Sequence, residues 1–478
     1  MRPLQCCRAN TTLRKLALAR CSLILGACLC TNSAMAQYVN DVTVSPPPRR
    51  PPMAPLPSLF APEAADAGTG ADVLVAPTMA DAPLFYFNSS VTARGAIVAD
   101  DTRLEDFAAG SFLPSAIPVE GQPFYGSDSR AALQASGNAI RINAFSPATA
   151  DYSASASAQL MVNNAAFTAD DSLGNANVSL RQIVGRLNRL TIGIMDSAFS
   201  DPSAVPETID LAGPNARVTV YDAGTGDGQG RISYDLLSDE PEGFEIIASA
   251  EEAIPEIAIP DTDSTFSHTP DFVLASQYVE GSIVEGRFVE RWHLQLGSVF
   301  RDLGFEEPSS EDQNVFGWGT SLSGAYKFPS LSHSGPMDRV MFSVTYGEGI
   351  SHYIADLNAA NDAGDAVIDA AGTLDPLPVL AWYTAYNHYW NPCLRSTFTY
   401  SQVDLDSTIP LGAPASPYRS GQYVAGNLVR RIMFSSEPED TSQRNIFTGI
   451  EYLYGHKDTL DGADGEANRI MVLLMITN

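Results

Sequence analysis

The segment Arg291-Trp-His-Leu-Gln-Leu-Gly-Ser-Val-Phe-Arg301 alternates residue by residue, with Trp292, Leu294, Leu296 and Phe300 on one face and Arg291, His293, Gln295 and Arg301 on the other. A period of two marks a β-strand whose faces meet different surroundings. The pattern recurs downstream: Phe316, Trp318, Leu322 and Tyr326 oppose Gly317, Gly319, Ser321 and Ser323, and Val340, Phe342, Val344 and Tyr346 oppose Arg339, Met341, Ser343 and Thr345. Such strands suit a soluble sandwich, with the apolar faces as its core. They equally suit a transmembrane barrel, in which the apolar face meets lipid and the polar face lines the lumen.

Two features favour the barrel. Aromatic residues recur near strand ends (Trp292, Trp318, Tyr326, Phe328, Tyr346, Trp390, Tyr400), as girdles at two membrane interfaces would. The connections alternate between tight (Gly185-Asn188, Ser238-Pro241, Asn391-Pro392) and long (about 200–228, 251–270 and 347–376), as in a barrel with turns on one side and loops on the other. Working outward from the quoted segment, strands centre near residues 95, 132, 158, 181, 194, 233, 247, 275, 296, 322, 342, 384, 398, 428, 450 and 472. Sixteen is even and returns both termini to one side, and closure removes the edges an open sheet would have to protect. The expected fold is all-β: a transmembrane antiparallel β-barrel of about 16 strands with an N-terminal proline-rich periplasmic extension.

The ends of the chain set its compartment. Arg2, Arg8, Arg14, Lys15 and Arg20 precede the apolar run Cys21 to Cys30 and the small-residue pattern Ala34-Met35-Ala36, which reads as a signal peptide over residues 1–36. Leu25-Gly-Ala-Cys28 also fits a lipoprotein-type processing site. Cleavage after Ala36 removes five of the six cysteines, leaving Cys393 and no possible internal disulfide. Residues 37–83 form a flexible segment with a polyproline-type stretch at 45–57, a tether or a cell-wall contact, and 84–478 form the barrel domain. Beyond the signal no run of 18 apolar residues occurs, which excludes helical spans.

The chain of 478 residues carries 28 basic and 56 acidic residues, a formal charge of −28 that becomes −33 once the five signal charges are removed. That balance argues against nucleic acid as a partner. Only Lys15, Lys327 and Lys457 are lysines, so arginine supplies nearly all positive charge. Six scattered histidines, with neither a His-Glu-x-x-His pair nor a cysteine cluster, offer no catalytic or metal chemistry, and no cofactor is expected. Acids crowd the loops, with eleven and no basic residue from Asp235 to Asp271. A secreted β-sheet adhesin, or an outer-membrane anchor with cation-binding acidic loops, is therefore the alternative reading.

Several segments are similar to the DcaP-like outer-membrane porins. They include Val178-Ser-Leu-Arg181, Leu190-Thr-Ile-Gly193, Phe199-Ser-Asp201-Pro-Ser-Ala-Val-Pro206-Glu-Thr208-Ile-Asp210-Leu-Ala-Gly213-Pro214, Gly317-Trp318-Gly319, Tyr346-Gly-Glu-Gly-Ile350, His388-Tyr389-Trp390, Leu394-Arg395-Ser396, Glu451-Tyr-Leu-Tyr-Gly455 and Ala467-Asn468-Arg469. Departures are Asp196, which stands where that family has an aromatic, the proline spacer, and a final strand Ile470–Ile476 that is apolar on both faces and lacks a terminal aromatic. The resemblance implies a homotrimeric barrel in outer-membrane lipid that passes small hydrophilic solutes, often dicarboxylic anions. In such trimeric porins the loop between the fifth and sixth strands folds inward as the constriction, here carrying Asp201, Glu207 and Asp210. The inward phase of the strands carries Arg94, Arg130, Arg181, Arg231, Arg291, Arg339, Arg395 and Arg469, with His293 and Glu451, as candidate pore-lining residues. An acidic loop facing this arginine ladder would set a transverse field across the pore, whereas pairing with neighbouring acids would instead brace the wall.

Overall fold

The computed structural model describes residues 86–102, 111–127, 130–134, 137–146, 153–163, 177–219, 228–237, 242–258, 264–284, 287–306, 312–330, 336–358, 364–369, 372–406, 417–434 and 444–477. The signal segment, the proline stretch and several loop tips lie outside them.

One closed antiparallel sheet of sixteen strands forms the wall. The strands are β1 (Tyr86–Asp100), β2 (Arg130–Gln134 with Asn138–Phe145), β3 (Ala154–Asn163), β4 (Asn177–Leu187), β5 (Leu190–Met195), β6 (Gln229–Leu237), β7 (Gly243–Glu251) and β8 (Asp271–Val284). They continue as β9 (Arg287–Glu306), β10 (Gln313–Phe328), β11 (Asp338–Glu348), β12 (Pro378–Asn391), β13 (Leu394–Leu405), β14 (Tyr418–Phe434), β15 (Arg444–Thr459) and β16 (Asp464–Thr477). β16 closes the ring on β1 in the register Thr92↔Thr477 to Asp100↔Arg469. Each expected strand centre falls inside one of these strands. The second strand is interrupted, and the Asn138 side-chain carbonyl accepts the Arg94 backbone N–H at 3.0 Å beside the break. The tight turn between β4 and β5 places Asn188 in the left-handed region at φ 51°, a conformation its short polar side chain tolerates.

The alternation in the quoted segment is realised as written. Leu294, Leu296 and Phe300 point outward and are exposed, whereas His293, Gln295, Val299 and Arg301 point inward and are buried. The outward aromatics of β8–β13 fall at two levels. Tyr278–Trp292 and Phe328–Tyr386 lie toward the termini, with centroids 5.1 and 6.2 Å apart, and Phe300–Phe316 and Trp318–Tyr346 lie toward the loops, at 6.3 and 5.9 Å. The nine residues from Trp292 to Phe300 rise about 26 Å along the strand and about 20 Å across the wall at the usual tilt, close to the roughly 25 Å apolar band of an outer-membrane barrel. β5, β6 and β7 have only 6, 9 and 9 residues, and their outward side chains are mainly aliphatic: Ile192, Ile232, Leu236 and Leu237.

The loop-side half of the lumen holds an apolar core. Three segments turn inward: 111–120 after β1 (L1), 196–219 after β5 (L3) and the described parts of the loop after β11 (L6), 349–358, 364–369 and 372–377. Phe199 and Val218 of L3 and Tyr353, Ile354 and Leu357 of L6 pack with Val299, Val379, Val403 and Leu405 of the wall. Phe112 and Ile117 of L1 and Ile209 of L3 pack with Val429, Phe447, Met471, Leu473 and Met475. This explains the final strand: its outward face meets lipid, and its inward face meets the folded-in loops.

Wall glycines admit the close approach. A Cβ on Gly465 would stand 2.3 Å from the Pro118 carbonyl oxygen of L1, and one on Gly421 2.6 Å from the Asp356 carboxylate of L6.

Candidate functional site: the constriction loop and the arginines of the lumen

L3 leaves β5 at Asp196 and crosses the lumen against β9 and β10, then β13 to β15, before returning over L6. Its proline-rich composition stiffens it, because each proline fixes φ. Asp201 caps a short turn at Pro202–Ala204, accepting the Ser203 N–H. It also lies 3.0 Å from His293 Nε2 on β9 and accepts the Ser323 hydroxyl of β10 at 2.8 Å. Burial opposes its charge, yet the His293 ring and the Ser323 hydroxyl hold its carboxyl below the usual range. Glu207 pairs with Arg395 Nε of β13 at 2.6 Å. Asp210 accepts the Phe112 N–H of L1 at 2.9 Å, the Gly213 N–H at 3.1 Å and the Tyr423 hydroxyl of β14 at 3.2 Å. Glu451 of β15 accepts the Ile209 N–H at 2.9 Å, and Arg94 of β1 donates to the Ile209 carbonyl at 2.6 Å.

All three loop acids are thus turned into the wall, where they fasten L3 rather than facing open water. From Ser200 to Val205 the lumen-exposed positions of the loop are neutral: Pro202 is exposed, and Ser200, Ser203 and Val205 are half-buried.

Asp210 couples this fastening to pH. Burial, only partly offset by the nearby Arg469 charge and the three donors, pushes its carboxyl up to about 6. A group raised in the folded loop favours the attached state most below its ordinary value of 3.8, and that contribution is lost as pH rises through about 6. The expected result is quieter single-channel current at pH 4.5 than at pH 7.5, with the loop-release equilibrium shifted by roughly twenty-five-fold between the two. Asp210→Asn should flatten the dependence, and an unchanged profile in that variant would assign the titration to another group.

The inward arginines divide by partner. Arg94 binds Ile209, Arg395 binds Glu207, and Arg469 binds Asp100 at 3.2 Å and the Ser111 carbonyl of L1 at 3.0 Å. Arg291 is exposed beside a bulge in β9. Arg130 opens β2, and its side chain lies outside those described.

Arg181 and Arg231 form a different arrangement with Asp196. Arg181 pairs with the Asp196 carboxylate at 2.5 Å, and Arg231 donates to the Asp196 carbonyl at 2.9 Å with Glu251 at 3.8 Å. Arg141 of β2 lies within electrostatic reach of Asp196 and Arg181, and its guanidinium donates to Gln159 Oε1 at 2.6 Å. Arg217, from the far end of L3, also acts on Asp196. Burial works against the Asp196 charge, but Arg181, with Arg217 and Arg231, holds its carboxyl below the ordinary range. Four guanidinium groups therefore gather around Asp196, with Glu251, Asp235 and Glu245 acting on Arg231, and the Asp196 side chain is still 33% exposed. Inward residues that keep solvent exposure, among them Arg141, Arg186, Arg231 and Glu245, lie on β2, β4, β6 and β7, whereas the wall of β12–β16 is covered by the loops.

Sequence reasoning placed Arg181 and Arg231 on the inward face but did not join them to Arg141, Arg217 or Asp196. The signal was Asp196 itself, an acid in an aromatic's place. It also passed over two knots. Arg301 of β9 binds Asp271 at 2.9 Å and Asp365 at 2.8 Å, and the carbonyls of Gly349 and Ile254. Asp356 of L6 accepts the Ser115 N–H of L1 at 2.8 Å, the Asn215 amide of L3 at 2.9 Å and the Tyr418 hydroxyl at 2.7 Å.

A closed sixteen-stranded antiparallel barrel with an inward-folded third loop is the fold of outer-membrane porins. Among solved structures, the outer membrane channel DcaP of Acinetobacter baumannii is similar at a TM-score of 0.60 and 18% identity, covering 85% of this chain and 100% of that one. The anion-selective porin from Comamonas acidovorans is similar at a TM-score of 0.49 and 10% identity, covering 82% of this chain and 100% of that one. No protein-family model and no curated protein matches the chain. The sequence resemblance and the first of these structures point to the same kind of barrel.

Proposed function

We propose that this chain is an outer-membrane porin, a passive diffusion channel for small hydrophilic solutes with a preference for anions. The observation that carries this is the combination of a closed barrel, a third loop fastened across its lumen, and an uncovered side on which four arginines gather around Asp196, with Glu251, Asp235 and Glu245 near Arg231. In a narrow aqueous pore, fixed wall charge selects the permeating ion. Small dicarboxylates enter the proposal through the resemblance to DcaP-like porins. The barrel sits in outer-membrane lipid with its termini and proline segment in the periplasm, where a cell-wall contact through 45–57 is within reach.

The low wall supports a homotrimer. The six residues of β5 rise only about 15 Å at the usual tilt, less than the roughly 25 Å apolar band, so lipid alone does not match this side. The aliphatic outward faces of β5–β7 suit contact with further copies of the chain.

Purified protein in planar bilayers should give current steps grouped in threes, with a reversal potential in asymmetric potassium chloride on the anion side. Absence of steps would end the channel reading, and a cation-side potential would end the anion preference.

A further inference from the structure

We infer that the inner wall of β10–β12, on the terminus side of L3, carries a binding site for a small oxyanion centred on Arg339 and flanked by Tyr383 and Lys327. The inference rests on the channel reading for its route of access and adds a station that the arginine cluster around Asp196 does not include.

Among the described residues, Arg339 is an inward arginine with neither an ion pair nor a hydrogen bond. Its Nε is buried and meets no acceptor. Arg94, Arg181, Arg231, Arg301, Arg395 and Arg469 all have such partners. The adjacent acid, Asp338, points to the other face, where it accepts from the Tyr386 hydroxyl at 2.7 Å, lies 2.8 Å from His388 Nδ1 and takes the Tyr389 N–H at 3.0 Å.

The cross-strand neighbours add to the imbalance. Arg339 stands opposite Lys327 on one side and Asn387 on the other. Like charges directly opposite in an antiparallel pair repel. Lys327 has Glu290 at 3.8 Å, but Glu290 also holds His293 Nδ1 at 2.8 Å. Asn387 gives its amide N–H to Thr397, while its own oxygen is buried without a donor.

Tyr383 supplies a second directional donor. It faces inward opposite Ser343, is 3% exposed, and its hydroxyl makes no hydrogen bond among the described residues. It lies within electrostatic reach of Arg339 and of Asp201 and Arg217 on L3. Asp201 is already held by His293 and Ser323, so the charge left over at this wall is positive. A guanidinium fork and a phenolic O–H on the same inward face, four register positions apart and within electrostatic reach of each other, match an oxyanion held between them, with the Lys327 ammonium adding attraction as it approaches.

The probe is inorganic phosphate, titrated into the detergent-solubilised full-length mature protein and followed by phosphorus-31 line width, in parallel with phosphate block of chloride current in bilayers. Arg339→Gln should weaken phosphate binding roughly tenfold or more, Tyr383→Phe by a few-fold, and Arg339→Lys should restore part of the loss. Arg181→Gln should leave the Arg339-dependent binding unchanged. Heat-modifiable migration establishes that each variant is a folded barrel. Wild-type phosphate affinity in folded Arg339→Gln and Tyr383→Phe, or no saturable binding in the wild type, overturns the site. Arg339-dependent binding in a protein that gives no current steps would leave the site standing and remove the channel reading; steps without such binding would do the reverse.

Discussion

Arg301→Ala should release the cap that the loop after β7 (L4, described over 252–258 and 264–270) and L6 form over the mouth, raising chymotryptic cleavage within residues 349–358 by two orders of magnitude or more. Arg301 is fully buried, and both of its carboxylate partners, Asp271 and Asp365, have 0% exposed side chains. Its guanidinium also donates to the Gly349 carbonyl where L6 begins and to the Ile254 carbonyl of L4, and it stacks over Tyr353 at 5.1 Å. Asp365 in turn accepts the Glu256 and His352 N–H groups, each at 2.9 Å. Ala366–Ile368 of L6 pairs in parallel with Ile257–Ala258 of L4 and antiparallel with Leu374–Pro376. Removing the arginine strands two carboxylates in an apolar core, a change that costs about 3–5 kcal/mol for one broken buried pair and more for two. The wall itself is held by sixteen ladders, so the loss should appear as local opening rather than as barrel unfolding. Heat-modifiable migration should persist while Tyr353 and Leu357 become cleavable. Arg301→Lys should fall between, because an ammonium keeps the charge and loses the fork. Wild-type protease resistance in Arg301→Ala would mean that the mini-sheet and the packing of Ile350, Tyr353 and Ile354 hold the cap unaided.

The wall was legible because each strand reports its own faces locally: in Arg291–Arg301 the alternation settles which side chains share a face, and the girdles and loop lengths then choose the barrel. The filling of the lumen was not, because its contacts join residues far apart in sequence. Asp356 reaches Ser115 across 241 positions and Asn215 across 141, and no periodicity connects them. The trace left in the sequence was indirect. Met471, Leu473 and Met475 lie on the inward face of β16, where a water-filled lumen calls for polar residues, and they are buried beneath the in-folded loops. The same limit applies to charge. Asp201, Glu207 and Asp210 sit on a loop, and the sequence offers no sign that each would meet His293, Arg395 or Tyr423 and turn its charge into a fastening. If the barrel is the proposed channel, its selectivity is expected to follow Asp196 and the arginines around it rather than Asp201, Glu207 and Asp210.

Replacing Arg181 and Arg231 together by glutamine should cut the chloride-to-potassium permeability ratio by roughly threefold or more, because two fixed positive charges leave the uncovered part of the lumen wall. Arg141, Arg181, Arg217 and Arg231 stand with Asp196, Glu251, Asp235 and Glu245, so removing two guanidinium groups leaves two cations facing four acids. The Arg181–Asp196 pair is partly open to solvent, at 12% and 33% exposure, so its loss should disturb the barrel little. Asp196→Asn should move the ratio the other way by withdrawing the carboxylate that partly neutralises the cluster. Arg181→Lys with Arg231→Lys separates field from geometry: lysines keep the charge without the fork, and retained selectivity in that variant would assign the effect to charge. A reversal potential that stays at its wild-type value in the double glutamine variant would show that ions do not pass along β2–β7, and the permeation route would then have to be sought along the Arg339 side of the wall.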